Sequence, residues 1–381
     1  MSKWIVAKFG GSSVKDGAAM LRCTNVVDNN SDIKIVVISA TQNTTNQLEF
    51  IARAAERGDE TTLHSLITEL SQRHTNIAHE VFSGPDIFTE LDILYSEITS
   101  VAHGIFKDRS FTPKTMDHLY GLGERMSSLI ISDLIRLRIP NKKVILLDAR
   151  SVIATNSDYQ KAEPQVDLIR EHADKLIAPY LNTDTIFVTQ GFIGKDLLEN
   201  TTTLGREGSD YSAALFGEAI DASLVQIWTD VAGIASSDPR LVKDAKFIPT
   251  LSYDEATALA TLGAKVLFPT TLLPTKRKNI PVFVGSSLDP NLGGTTITHN
   301  QDENFKLKAV TLLQKKDYYV VSFIGCHLDR ASNLVEDLKT HFGDHLVDFY
   351  DLTSVSVSFK VTTPDHAAVL LKAHEILVSK Y

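Results

Sequence analysis

Six apolar runs rich in Val and Ile constrain this chain more than any other feature: IVAKF ending at Phe9, IKIVVIS at Ser39, KVILLD at Asp148, TIFVTQG at Gly191, LVQIWTD at Asp230 and IPVFVG at Gly285. Their apolar residues are continuous rather than alternating, the pattern of parallel strands buried on both faces. Helical stretches lie between them, and parallel strands need such crossovers. The longest helical region, about Thr61 to Arg138, is interrupted at Ser83, Gly84 and Pro85 and again at Thr112 and Pro113, so several helices are expected there. The fold class this predicts is α/β, a three-layer αβα sandwich around a mainly parallel sheet. Sheets of that kind bind ligands at the C-terminal ends of their strands, where Lys8, Ser39, Thr229 and Asp230 all fall.

A length of 381 residues is long for one core, so two domains are expected. The stretch Gly285 to Asn304 is rich in Gly, Pro, Asn and Asp and marks the boundary, between a domain over residues 1–297 and a second over 306–381. The tail reads strand, strand, helix, strand, strand, helix, which suits one small α+β ferredoxin-like unit. A net charge of −9 argues against a nucleic-acid partner, since phosphate backbones are bound by clustered Lys and Arg. The first apolar run is too short for a signal segment or a membrane span, so no membrane association is expected. Cys23 and Cys326 have no metal-type spacing and read as reduced thiols, consistent with a cytoplasmic protein. His341 and His345 are four apart, but Gly343 interrupts the helix and no carboxylate accompanies them, so no metal site is expected.

Several motifs carry chemistry. In Thr189 to Leu215, an apolar strand leads through glycine turns and a polar hairpin into a charged loop that opens a helix. Gly205 and Gly208 let backbone approach a ligand, Arg206 offers a planar fork for a carboxylate, and Ser209 and Asp210 sit where a helix would begin. Taken alone, such a tetrapeptide is more often a capped loop. Lys8 closes the first strand just before Gly10 and Gly11, placing a cation beside backbone N–H groups in a manner that suits a polyphosphate. The Walker A spacing is absent. Glu124 falls inside the helical run GLGERMSS, where a lone Glu is ordinarily solvated. Thr229 and Asp230 end a strand ahead of the turn Asp238, Pro239, Arg240, and Lys265 stands before a proline-stopped loop in GAKVLFPTT.

Together, KFGGSSV, ISATQNTTN, GLGERMS, TTTLGREGSDYSAAL, WTDVAGIASSDPR, GAKVLFP and PVFVGSS, in this order, resemble the aspartate kinases of the amino-acid kinase family over roughly residues 3 to 297. The resemblance implies transfer of the γ-phosphoryl group of ATP, with Mg²⁺, to the β-carboxylate of L-aspartate, at the head of lysine, threonine and methionine biosynthesis. It implies that Lys8 with the N–H groups of Gly10 and Gly11 neutralises the phosphates, and that Lys265 reaches the nucleotide from the other side. Arg206 would clamp a substrate carboxylate and Glu124 would accept the ammonium group, with Ser39, Thr45 and Ser209 positioning the substrate. Asp210 would orient Lys8, and Thr229, Asp230, Asp238 and Arg240 would form the nucleotide edge.

The tail resembles the ACT modules that follow aspartate kinase domains, with room for one where the family usually carries two. A homodimer through it is expected. Cys326 to Ala331 lack the helix-opening glycine of an effector-binding ACT motif, which leaves feedback inhibition open. Four further departures are Asn43 and Glu207 where glycine is common, Ala235 for an aromatic residue and Phe268 for a histidine. Two other readings stay open: a ligand-sensing subunit that regulates a partner kinase, and a related kinase acting on another carboxylate.

Overall fold

The computed structural model describes residues 3–82, 86–264, 269–300, 302, 304–342, 347–361 and 365–380. They form two compact units, Met1–Asp230 with Gly285–Pro290, and Val231–Val284 with Asn291–Tyr381.

The first unit runs β1 (Ile5–Phe9), α1 (Gly17–Asp28), β2 (Ile33–Ile38), α2 (Thr44–Arg57), α3 (Glu60–Val81), α4 (Asp86–Asp108), α5 (Pro113–Arg138), β3 (Lys143–Leu147), α6 (Val166–Leu176), β4 (Thr185–Gln190), β5 (Ile193–Lys195), β6 (Thr201–Thr203), α7 (Gly208–Ala219) and β7 (Leu224–Thr229). Five strands pair in parallel in the order β3-β4-β2-β1-β7. Every residue of β1 and β4 is buried, as their unbroken apolar runs require. Helix α5 lies against β2, β3 and β4, and α7 against β1, β2 and β7. With α1 on α5 and α6 on α7, the layers are those of the expected αβα sandwich.

The long helical region resolves into three helices. Thr112 opens α5 with a capping box to Thr115, and Pro113 takes the first helical position, where a missing N–H costs nothing. The other expected break, at Ser83 to Pro85, lies outside the described residues; α3 ends at Val81 with Phe82 extended.

The second unit contains β8 (Thr250–Ser252), α8 (Tyr253–Thr261), α9 (Leu273–Lys278), β9 (Val282–Ser286) and β10 (Gly294–Thr298), then β11 (Lys306–Gln314), β12 (Tyr319–Cys326), α10 (Leu334–Phe342), β13 (Val347–Leu352), β14 (Ser356–Val361) and α11 (His366–Lys380). The last two residues of β9 count with the first unit. Strand β10 falls inside the segment read as a linker and pairs in parallel with β8. Its TTIT core is short, and Gly and Asn around it mask the strand signal.

The tail forms an antiparallel sheet in the order β11-β12-β14-β13, compatible with an ACT-like unit. The succession β12-α10-β13-β14-α11 is a ferredoxin-like unit short of its closing strand, and β11 pairs on the edge of β12 in that place. Its core gathers Phe323, Phe342 and Phe359, whose rings meet edge to face. Cys23 and Cys326 are both free and buried. Among the described residues no helix is long and apolar enough to cross a membrane.

Candidate active site

Register places the first group of residues. Lys8 on β1 stands level with Val37 of β2 and Ile227 of β7, so the chain after each strand emerges at the same edge: Gly10 and Gly11 after β1, Ser39 after β2, Thr229 and Asp230 at the end of β7. Lys8 Nζ forms a buried ion pair with Asp210 Oδ1 in the first turn of α7. Taking both charges out of water is costly unless each meets the other, so this pair fixes α7 against β1 and aims the ammonium group.

The turn after β1 is tight. A Cβ at Gly11 would lie 2.7 Å from the Ala40 carbonyl oxygen, closer than any side chain tolerates. One expectation needs correction here. The Gly10 N–H donates to Trp228 O at 3.1 Å and so is not turned toward a phosphate; its part is to tie the turn to β7. Ser13 Oγ lies 2.6 Å from Ser287 Oγ, and Ser287 N–H donates to Thr229 O at 2.7 Å, so the ends of β1, β7 and β9 are stitched together.

Glu124 lies on α5 and is 3% exposed. Burial pushes its carboxyl up to about 8, against the downward pull of the Ala40 N–H and of the Lys8 charge. Its Oε2 is buried with no hydrogen-bond partner among the described residues. Most buried polar atoms are satisfied, so an orphan of this kind asks for a donor from outside the chain. Gly123 permits the placement: a Cβ there would come 2.9 Å from Thr44 Cγ2 at the start of α2.

Ser39 follows β2, Thr45 is the second residue of α2, and Ser127 of the GLGERMSS run, with Arg73 and His74, which no sequence motif marked, holds the loop between the two elements. Ser127 Oγ of α5 donates to Ser39 O at 2.7 Å. Arg73 of α3 donates to Gln42 O at 3.0 Å and to Thr44 Oγ1 at 2.5 Å. Thr44 Oγ1 lies 2.7 Å from Thr41 Oγ1, which lies 3.1 Å from His74 Nε2, while His74 Nδ1 lies 2.9 Å from Leu70 O. A carbonyl only accepts, so Nδ1 carries the proton and Nε2 accepts from Thr41. Burial holds His74 down to about 4, which keeps the ring neutral for that role. Asn43 adopts a left-handed conformation, φ 66°, which accounts for glycine being common there.

Arg206 is exposed in the loop that opens α7, and Ser209 is the second residue of that helix. Glu207, also left-handed at φ 54°, caps α7. Although Glu207 is exposed overall, partial desolvation of its carboxyl and the nearby Asp210 raise it, against Lys8 and Arg206. A fully buried side chain on α5 holds the foot of this loop: Asp117 accepts from Thr203 N–H at 2.9 Å and Thr203 Oγ1 at 2.8 Å. No motif pointed to Asp117; its position seven residues before Glu124, close to two turns of about 3.6 residues, was the available signal.

Asp238 and Arg240 belong to the second unit, where the Arg240 guanidinium donates to Asp238 Oδ1 at 2.9 Å and Oδ2 at 2.5 Å across a single turn. Lys265 and Phe268 lie outside the described residues. Among the described residues no three His, Cys, Asp or Glu side chains converge as a metal site.

The chain is similar to known proteins over most of its length. Residues 3–286 match the model of the amino acid kinase family. The chain is 41% identical to the lysine-sensitive aspartokinase 3 of Escherichia coli over 368 residues, 95% of this chain and 78% of that protein. It is 33% identical to the aspartokinase of Chlamydia pneumoniae, over 86% of this chain and 71% of that one. The crystal structure of E. coli aspartokinase III with aspartate and ADP superposes with a TM-score of 0.88 at 29% identity, covering 98% of this chain and 100% of that one. The lysine- and aspartate-bound form of the same enzyme gives 0.75 at 34% identity, covering 99% and 84%.

Proposed function

The chain belongs to the amino acid kinase family and acts as an aspartate kinase, and we propose that it moves the γ-phosphoryl group of ATP to the β-carboxylate of L-aspartate with Lys8, Asp210, Arg206 and Glu124 as the principal working residues. The observation that carries this assignment is the buried carboxyl of Glu124, whose Oε2 has no hydrogen-bond partner among the described residues, within electrostatic reach of Lys8. An α-ammonium group supplies the donors that Oε2 lacks, and its charge turns an unfavourable burial into a paired one.

The acceptor needs no general base. An aspartate side chain, with an ordinary pKa near 3.9, is ionised at pH 7. One of its carboxylate oxygens forms the new bond to phosphorus as the bond to the departing ADP oxygen breaks. The obstacle is repulsion: two unit charges about 4 Å apart oppose each other by roughly 4 kcal/mol at an effective dielectric of 20. Lys8, aimed by Asp210, offsets that charge from the strand end, and the Gly11 turn lets backbone approach the phosphates. Arg206 holds a carboxylate of the substrate, while Ser39, Thr45 and Ser209 restrict its position. Thr229, Asp230, Asp238, Arg240 and Lys265 are assigned to binding the nucleotide. Mg²⁺, when bound with the nucleotide, would supply further positive charge against the phosphates.

We also assign residues 1–297 to catalysis and 306–381 to an ACT-like module that joins two copies. The exposed Phe349, Tyr350 and Leu352 on the edge strand β13 support that pairing, since an open apolar edge invites another chain. Two free, buried thiols suit a cytoplasmic setting.

Hydroxylamine trapping tests the reaction. Protein, MgATP and L-aspartate should yield aspartyl hydroxamate, with L-glutamate and N-acetylglutamate giving little. Product from another acid would replace the substrate, and none from any acid, with ADP still bound, would favour a ligand-sensing subunit.

A further inference from the structure

Two features have no part in the chemistry above: the run Thr201, Thr202, Thr203 and the buried carboxylate of Asp117. They meet. Asp117 is 0% exposed, and its oxygens accept from two segments. Gln160 N–H donates to Oδ1 at 3.1 Å and Oδ2 at 2.9 Å, Thr203 N–H to Oδ2 at 2.9 Å, and Thr203 Oγ1 to Oδ1 at 2.8 Å. Every partner is a donor, so both oxygens act as acceptors, as an ionised carboxylate requires. Ala162 N–H in turn donates to Thr203 O at 2.9 Å, locking the 160–162 loop to the end of β6. The other two threonines are anchored as well: Arg150 Nη1 donates to Thr201 Oγ1 at 3.0 Å, and Thr202 Oγ1 lies 2.7 Å from Thr155 Oγ1. The chain then turns at Gly205, φ +78°, where a Cβ would lie 3.2 Å from Gln160 O, and presents Arg206.

Asp117 and Glu124 share one face of α5, because seven residues bring a helix almost back to its starting direction. We infer that Asp117 is a positioning residue which ties the loop carrying Arg206 to the helix carrying Glu124, so that the carboxylate clamp and the ammonium acceptor keep the separation an α-amino acid needs. This rests on the assignment of Glu124 and Arg206 to the acid substrate. A carboxylate that only held the fold together would affect stability and leave the two substrates' affinities in their original ratio.

Asp117→Asn separates these roles. The variant keeps the shape but turns an NH₂ group toward N–H and O–H donors. The KM for L-aspartate, read by hydroxamate formation, is expected to rise about 10- to 100-fold, with kcat changed only a few-fold and ADP affinity unaltered. An unchanged aspartate KM overturns the inference, and so does parallel weakening of aspartate and ADP. Thr203→Val, which removes one hydroxyl donor and keeps the N–H, should raise the same KM about three- to tenfold, and it decides the matter if Asp117→Asn does not fold. If the unaltered protein phosphorylates an amino acid other than aspartate, the aspartate reading fails while the same KM split, measured on that acid, still judges Asp117.

Discussion

Two carboxylates on one helix face are treated in opposite ways. Around Asp117 the chain delivers four hydrogen-bond contacts from Gln160 and Thr203, and around Glu124 it leaves Oε2 with none. Burial raises both carboxyls, but at Asp117 the hydrogen bonds from Gln160 and Thr203 oppose it, whereas Glu124 is carried to about 8. The difference teaches how to separate architecture from function in a buried charge. A satisfied group has found its partners within the fold, while an unsatisfied one is tolerated at a cost because a ligand completes it.

The comparison breaks most readily at its satisfied end. Asp117→Ala strands the Gln160 N–H, the Thr203 N–H and the Thr203 hydroxyl, and at about 1 kcal/mol or more apiece it should destabilise the protein by about 3 kcal/mol in urea unfolding. A loss under about 1 kcal/mol would mean that water or repacking replaces the carboxylate and that the contrast is overstated.

Glu124→Ala should behave in the opposite manner. Removing a buried carboxyl without a full set of partners should leave unfolding stability unchanged or raise it, while the aspartate KM climbs about 10- to 100-fold through the loss of a charged hydrogen bond. A large drop in stability with an unaltered KM would make Glu124 structural.

The smallest effect is the release of a single proton. Glu124 is raised in the folded chain from its ordinary 4.5 to about 8, so it is mostly protonated at neutral pH. Its contribution to stability is therefore complete below about pH 4.5 and declines as pH rises through about 8. An incoming ammonium group favours the ionised form. Aspartate binding at pH 7 should thus release up to about one proton, measured by calorimetry in two buffers of different ionisation enthalpy, and Glu124→Gln should abolish the release.

Much of this architecture was legible in the residues because its signals are local. A continuous apolar run such as TIFVTQ announces a strand buried on both faces, and Thr112-Pro113 announces the start of α5. Lys8 and Asp210 were both marked by motifs, although they are distant in sequence and only β1 packing on α7 joins them. Less legible were the supports. Arg73 and His74 look like ordinary helical surface residues until α3 is laid beside the β2–α2 loop, and strand β10 hides in a stretch of linker-like composition. The expectation that the Gly10 N–H faces a phosphate failed because that group already serves Trp228 O, a partner 218 positions further along the chain.

The sequence by itself determined the parallel αβα core, the antiparallel tail and the set of charged groups gathered at the strand ends, since periodicity, caps and glycine turns depend on neighbours along the chain. Only the tertiary structure decided which charged groups are satisfied. A hydrogen bond joins donors and acceptors by position in space, and whether the Asp117 oxygens meet Thr203 or the Glu124 oxygen meets nothing depends on how distant segments pack around α5.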